Sequence, residues 1–237
     1  MAAATTQAVA PGPGPAPAMA TTQAAAPSPA LPPASAMATT QAASPTPPPA
    51  TASSGVRYRY TSARMTTQRH YTVRYGRIEV RAKLPEGQGI WPAVWLLGAD
   101  IPTRGWPACG EIDLLELVGS RPGTVHGTIH GPLSGGVGIG GAYTLPGGQK
   151  FSEDFHVFSL EWDERSMHWF VDGHQYFQVL KDDMPAEYAQ KEWVYDHDFF
   201  LIVNLAVGGN WPGYPDETTI FPQSLQIDYI RVYQREN

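Results

Sequence analysis

The chain has 237 residues, with 22 acidic side chains against 16 basic ones and a net charge of −6; without a basic cluster, this excludes the electrostatic footprint of a nucleic-acid or anionic-membrane binder. One cysteine, Cys109, excludes an internal disulfide, and no apolar run is long enough to cross a bilayer as a helix. A neutral polymer is the partner that fits this composition.

Two compositions share the chain. Residues 1–55 hold no charged side chain, about half of the 23 prolines, and little besides Ala, Thr, Ser, Gln and Gly. Such a stretch cannot bury enough apolar surface to offset chain entropy, so a disordered or extended tail is expected. Met1, Met19 and Met37 each open a repeat of Ala, Thr-Thr-Gln and Pro-rich sequence, which reads as a semi-rigid spacer or a glycosylated stalk. The N-terminus shows neither the basic nor the apolar region of a secretory signal. Residues 56–237 carry all the charge and suffice for one domain with a sizeable core.

In chain order, 58–65, 71–84, 90–97, 111–118 and 124–130 read as strands, rich in β-branched and aromatic residues and bounded by Gly and Pro. The pattern continues through 155–162, 167–171, 175–180, 199–207 and 225–233. Asp172-Gly173 between two such runs is a two-residue hairpin signal. Only 183–191 offers a helical turn or two. Many short strands with Gly/Pro turns predict an all-β sandwich or barrel. A sandwich with one concave sheet places the acidic strand in a cleft.

That strand reads Glu111-Ile112-Asp113-Leu114-Leu115-Glu116. Acid and aliphatic alternate strictly to Leu114, the period of a half-buried strand, and then slip by one residue. A β-bulge at the two leucines restores Glu116 to the face of Glu111 and Asp113, whereas a helix leaves residues five apart on different faces. Three carboxylates on one face repel one another. The bland alternative is a solvated outer face; the chemical one is an ionised nucleophile beside a protonated acid.

Trp91 and Trp95 share a strand face, Trp106 lies just upstream of the acids, and Trp211 sits in the loop Gly208-Gly209-Asn210-Trp211-Pro212-Gly213. Indoles suit stacking on the carbon-hydrogen faces of sugar rings, and they also fill cores. His126, Thr128 and His130 share a face by period two, but two histidines without a third ligand do not make a zinc site. Asn204 ends an otherwise apolar run, so its amide serves either the backbone or the cleft.

Residues 57–234 resemble the laminarinase-like branch of glycoside hydrolase family 16, the endo-β-1,3-glucanases. The resemblance is carried in order by Tyr60-Thr61-Ser62-Ala63-Arg64, by Tyr75 to Ala82, by Trp91-Pro92-Ala93-Val94-Trp95-Leu96-Leu97-Gly98, and by Trp106 to Gly110 leading into the acids. It continues in His126-Gly127-Thr128-Ile129-His130-Gly131, in Asn204 to Gly213 and in Asp228 to Tyr233. It implies a jelly-roll β-sandwich of two antiparallel sheets with a concave substrate cleft. By position, it makes Glu111 the nucleophile, Glu116 the acid/base and Asp113 the assisting carboxylate. It sets Arg64, Trp91, Trp95, His130, Asn204 and Trp211 around the sugar, with Trp106 beside them. The bulged spacing points to the laminarinase branch over the unbulged lichenase branch.

The resemblance also implies a β-glucan as partner, a monomer, an extracellular place of work and a reaction needing no cofactor. In the family a leading segment supplies the first strands, donor-side sugar contacts and part of a calcium site near the position of Asp228. Pro/Ala repeats stand in its place here, so the expectation is a catalytic domain lacking those strands, with an open sheet edge, impaired donor-side subsites and an incomplete calcium site. Three other functions compete with glucan hydrolysis: a glucan-binding module without catalysis, a hydrolase of galactan or mixed-linkage glucan, and a transglycosylase using the same two glutamates.

Overall fold

In the computed structural model, residues 59–132, 137–184 and 193–234 are described. The expected tail over 1–55 and most of the turn expected over 183–191 lie outside them. The described chain contains eleven strands and one short α-helix, β1 Arg64–Thr66, β2 Gly76–Lys83, β3 Ile90–Gly98, α1 Ile101–Arg104, β4 Glu111–Leu117, β5 Thr124–His130, β6 Ile139–Thr144, β7 His156–Trp162, β8 Ser166–Val171, β9 His174–Leu180, β10 Phe199–Val207 and β11 Gln226–Tyr233, with single 3-10 turns at Pro146–Gly148 and Lys181–Asp183. They form a jelly-roll sandwich of a six-stranded sheet, β1-β10-β3-β4-β5-β6, and a five-stranded sheet, β11-β2-β7-β8-β9. Every pairing is antiparallel.

Period-two alternation sends Ile78, Val80 and Ala82 of β2, Val94 and Leu96 of β3, and Phe158 and Leu160 of β7 into one shared core. Each large aliphatic or aromatic side chain fully buried there contributes about 1.5–3 kcal/mol. β3 is apolar on both faces for a structural reason. Its opposite face, Ala93, Trp95 and Leu97, lies under the 99–110 connection and forms a second cluster with Cys109, Phe200 and Ile202, against which Ile101 and Trp106 pack.

Several strand bounds differ from the expected ones. Of the described part of 58–65, Arg64 and Met65 form ladder pairs with β10, within a β1 that runs on to Thr66, and the Ala63 carbonyl accepts from Leu205 N. Of 71–84, only Val73 makes an isolated bridge before β2 begins, because Tyr75 takes a positive φ of 65° and turns the chain. The 139–144 run was not anticipated as a strand. Its glycines weaken the sequence signal, yet they are what lets the sheets close: a Cβ on Gly141 would lie 2.5 Å from the Phe177 ring. Asp172 and Gly173 do form the β8–β9 turn, both at positive φ. All three residues of β1 are exposed at its edge of the sheet. A cavity of about 830 Å³ adjoins that edge, lined by Tyr60, Met65, Val203, Leu205, Phe221 and Ile227 among others.

Candidate active site

β4 carries the bulge that the acid spacing implies. Against β5, Asp113 pairs with Thr128 and Glu116 with His126, so three steps on β4 match two on its partner. Against β3, Leu115 pairs with Val94 and Asp113 with Trp95, which leaves Leu114 as the extra residue. Both leucines enter the core. Burial of that pair fixes the register, and Glu111, Asp113 and Glu116 then face the same side. From beneath, the buried Trp169 of β8 donates its Nε1–H to the Asp113 carbonyl at 2.8 Å and ties the bulged strand to the other sheet. Nothing in the sequence pattern distinguished Trp169 from an ordinary core residue.

Each glutamate receives an indole donor. Trp106 Nε1 donates to Glu111 Oε2 at 2.8 Å, and Trp91 Nε1 donates to Glu116 Oε1 at 3.0 Å. Trp95 Nε1 donates to Asn204 Oδ1 at 2.7 Å, and the Arg64 guanidinium lies over the Trp95 ring, 5.1 Å from its centroid. With its oxygen occupied, Asn204 keeps an amide N–H₂ to offer. Stacking was the role expected of these rings; the structure adds hydrogen bonding, which spacing alone cannot reveal. His130 Nε2 stands 3.1 Å from Asp113 Oδ2 and 4.0 Å from Glu111 Oε1.

Trp211 packs edge-on against Trp91, with centroids 5.4 Å apart, and against His126 at 5.2 Å. The Gly208–Gly213 loop thus approaches Glu116 through Trp91. Burial, with Arg121 adding to it, holds the His126 imidazole below its usual pKa, so it is a neutral neighbour. Every residue expected in the site lies on β1, β10, β3, β4 or β5, or on the loops that carry Trp106 and Trp211.

Burial and repulsion between carboxylates raise both glutamates. Burial first, then the Asp113 charge and a hydrogen bond with its carboxyl, push Glu111 up to about 8, while His130 and the Trp106 N–H act in the opposite direction. Burial, Asp113 and Glu111 push Glu116 well above the ordinary carboxylate range, against His130 and the Trp91 N–H. These groups titrate as a set. The His130 imidazole, 4.0 Å from Glu111 Oε1, favours the ionised form of Glu111.

Among the described residues, metal-type donors gather only at Glu111, Asp113 and His130, within 4.8 Å of one another. Asp228, near which the family's calcium site was expected to be incomplete here, is paired with Arg81 Nη1 at 2.7 Å. That ion pair engages one of the two carboxylate oxygens of Asp228.

Two glutamates on one face of a bulged strand, each receiving an indole N–H, form the arrangement that glycoside hydrolase chemistry calls for. The comparisons narrow it further: glycosyl hydrolases family 16 matches residues 36–231, and the chain belongs to that family. It is 41% identical over 183 residues to the glucan endo-1,3-beta-glucosidase A1 of Niallia circulans, covering 75% of this chain and 27% of the relative. It is also 41% identical over 184 residues to a beta-glucanase of Rhodothermus marinus, covering 74% and 63%. The chain therefore spans less than two thirds of either relative. Among solved structures, the laminarinase catalytic domain from Thermotoga maritima MSB8 superposes with a TM-score of 0.69 at 59% identity, covering 73% of this chain and 69% of that one.

Proposed function

We propose that this protein cleaves internal β-1,3 linkages of a laminarin-type glucan with retention of configuration. The observation that carries the reading is the bulged strand β4, which turns Glu111 and Glu116 to one face and gives each its own indole donor. The names of the similar proteins, a glucan endo-1,3-beta-glucosidase and laminarinases among them, supply the substrate class.

In this reading the ionised Glu111 attacks the anomeric carbon while Glu116 protonates the departing oxygen. That geometry needs two carboxyls about 5 to 5.5 Å apart. Asp113, held by His130, buttresses the nucleophile. Once the glycosyl-enzyme has formed, the deprotonated Glu116 activates water, and Glu111 departs as carboxylate. Arg64, Trp95 and Asn204 form one wall for the sugar; Trp211 and His126 form the other, with Trp91 behind Glu116. No cofactor enters the chemistry. A polysaccharide substrate implies work outside the cell, and we further propose that the chain acts as a monomer. Among the described residues no helix is long and apolar enough to cross a membrane.

The test is release of reducing ends from laminarin by the purified full chain. We expect Glu111→Gln to abolish release, and Glu111→Ala to recover turnover with azide, giving an α-glycosyl azide. A folded wild-type chain that releases nothing, but retards in a glucan-containing gel, refutes hydrolysis in favour of binding alone.

A further inference from the structure

A carboxylic acid has two oxygens, and only the one carrying the proton can deliver it. Trp91 Nε1 donates to Oε1 of Glu116 at 3.0 Å. A hydrogen on Oε1 would compete with that N–H for the same lone-pair region, so the indole favours the acid form with its proton on Oε2. The ring is braced. Trp211 meets it at 5.4 Å and is itself met by His126 at 5.2 Å, while a Cβ on Gly209 would lie 3.6 Å from Trp91 Cζ3. The Trp91 ring on β3 is thus backed by the 208–213 loop, and that loop by His126 of β5.

We propose that Trp91 is a positioning residue that keeps the proton of Glu116 on Oε2, the oxygen left to face the departing group, and that Trp211 acts on the acid through the Trp91 ring. The inference rests on the function proposed above. It does not reduce to holding the proton more tightly, because the Trp91 hydrogen bond opposes the burial and the Asp113 and Glu111 charges that keep Glu116 protonated. What the indole supplies is direction.

Two replacements in the full chain test this: Trp91→Phe, and Trp91→3-benzothienylalanine, which keeps the bicyclic shape and lacks the N–H. We expect kcat on laminarin to fall about 10- to 100-fold, part of the roughly 100- to 10,000-fold that general-acid catalysis supplies, with KM changed less than about threefold. A 2,4-dinitrophenyl β-laminaribioside, whose leaving group departs without a proton, should lose less than about threefold in glycosylation. The basic limb of the laminarin profile should move to higher pH, because an anion-stabilising donor is gone while Asp113, Glu111 and His130 still face Glu116. Equal losses on both substrates, or a loss carried by KM with the basic limb unmoved, overturn the proposal.

A second readout needs no turnover. The pH-dependent change in tryptophan emission that separates wild type from Glu116→Gln should vanish once Trp91 is replaced. If that difference persists, the Trp91–Glu116 contact is refuted, whether or not the chain cleaves glucan. If the difference vanishes in a chain that cleaves nothing, the contact stands and the proposed reaction falls.

Discussion

Replacing Glu111 by Gln should make the protein more stable, and increasingly so as pH rises. An unfolded glutamate ionises near 4.5, whereas burial and the Asp113 charge push folded Glu111 up to about 8. Between those values the folded chain holds a proton that the unfolded chain has released. The stability associated with that proton is therefore complete below about pH 4.5 and lost as pH climbs through about 8. Each pH unit of the interval is worth about 1.4 kcal/mol, which sets a ceiling of roughly 5 kcal/mol for an isolated group. Because neighbouring acids share the titration, about 2–4 kcal/mol is the expected loss. For a domain of this size, that is a fall in Tm of about 5–15 °C attributable to Glu111. The amide of Glu111→Gln can still accept from Trp106 and does not ionise. Tm should be measured for both proteins from pH 4.5 to 8.5. The gap should be small at the acid end and widen in favour of the variant toward the alkaline end. Parallel curves, or a variant less stable at pH 8, would refute the placement of a strained, buried carboxyl at this site.

Three further outcomes follow from named contacts. Trp106→Phe removes the donor at 2.8 Å from Glu111 Oε2, so the anion is less favoured and the acidic limb of kcat/KM should move up by about one pH unit; an unmoved limb contradicts the contact. Trp169→Phe strips the hydrogen bond from the Asp113 carbonyl and opens a small void in the core, with an expected loss of about 2–4 kcal/mol in urea unfolding and a matching fall in kcat as the bulge loosens. Gly98→Ala places a Cβ 1.9 Å from the Cys109 carbonyl oxygen and 2.8 Å from His197 Nε2. Backbone must shift there, and a loss above about 3 kcal/mol is expected on chemical denaturation.

The acidic strand was legible because its signal is local. Alternation, a one-residue slip and adjacent leucines specify a bulge without reference to other strands, and the register on both flanks bears this out. The hairpin at Asp172-Gly173 was legible for the same reason, since positive φ at both residues is a property of the dipeptide. β6 was not, because the glycines of Ile139–Thr144 answer to Phe177 on the opposing sheet and to Thr128 on the neighbouring strand. The tryptophans were half legible. Sequence placed Trp91 and Trp106 near the acids, but which carboxyl each indole serves depends on how the 99–110 connection folds over β3 and on the bulge bringing Glu116 to Trp91. Trp169 was hidden altogether, since its role is a single bond made across the core.

The central claim is that Glu111 and Glu116 act as a nucleophile and an acid/base in a double displacement. Proton NMR of the first sugar ends released from laminarin tests it directly, before mutarotation mixes the anomers. The β-anomer should appear first, with the α-anomer growing in later. Initial release of the α-anomer means a single displacement by water and contradicts the roles assigned to both glutamates.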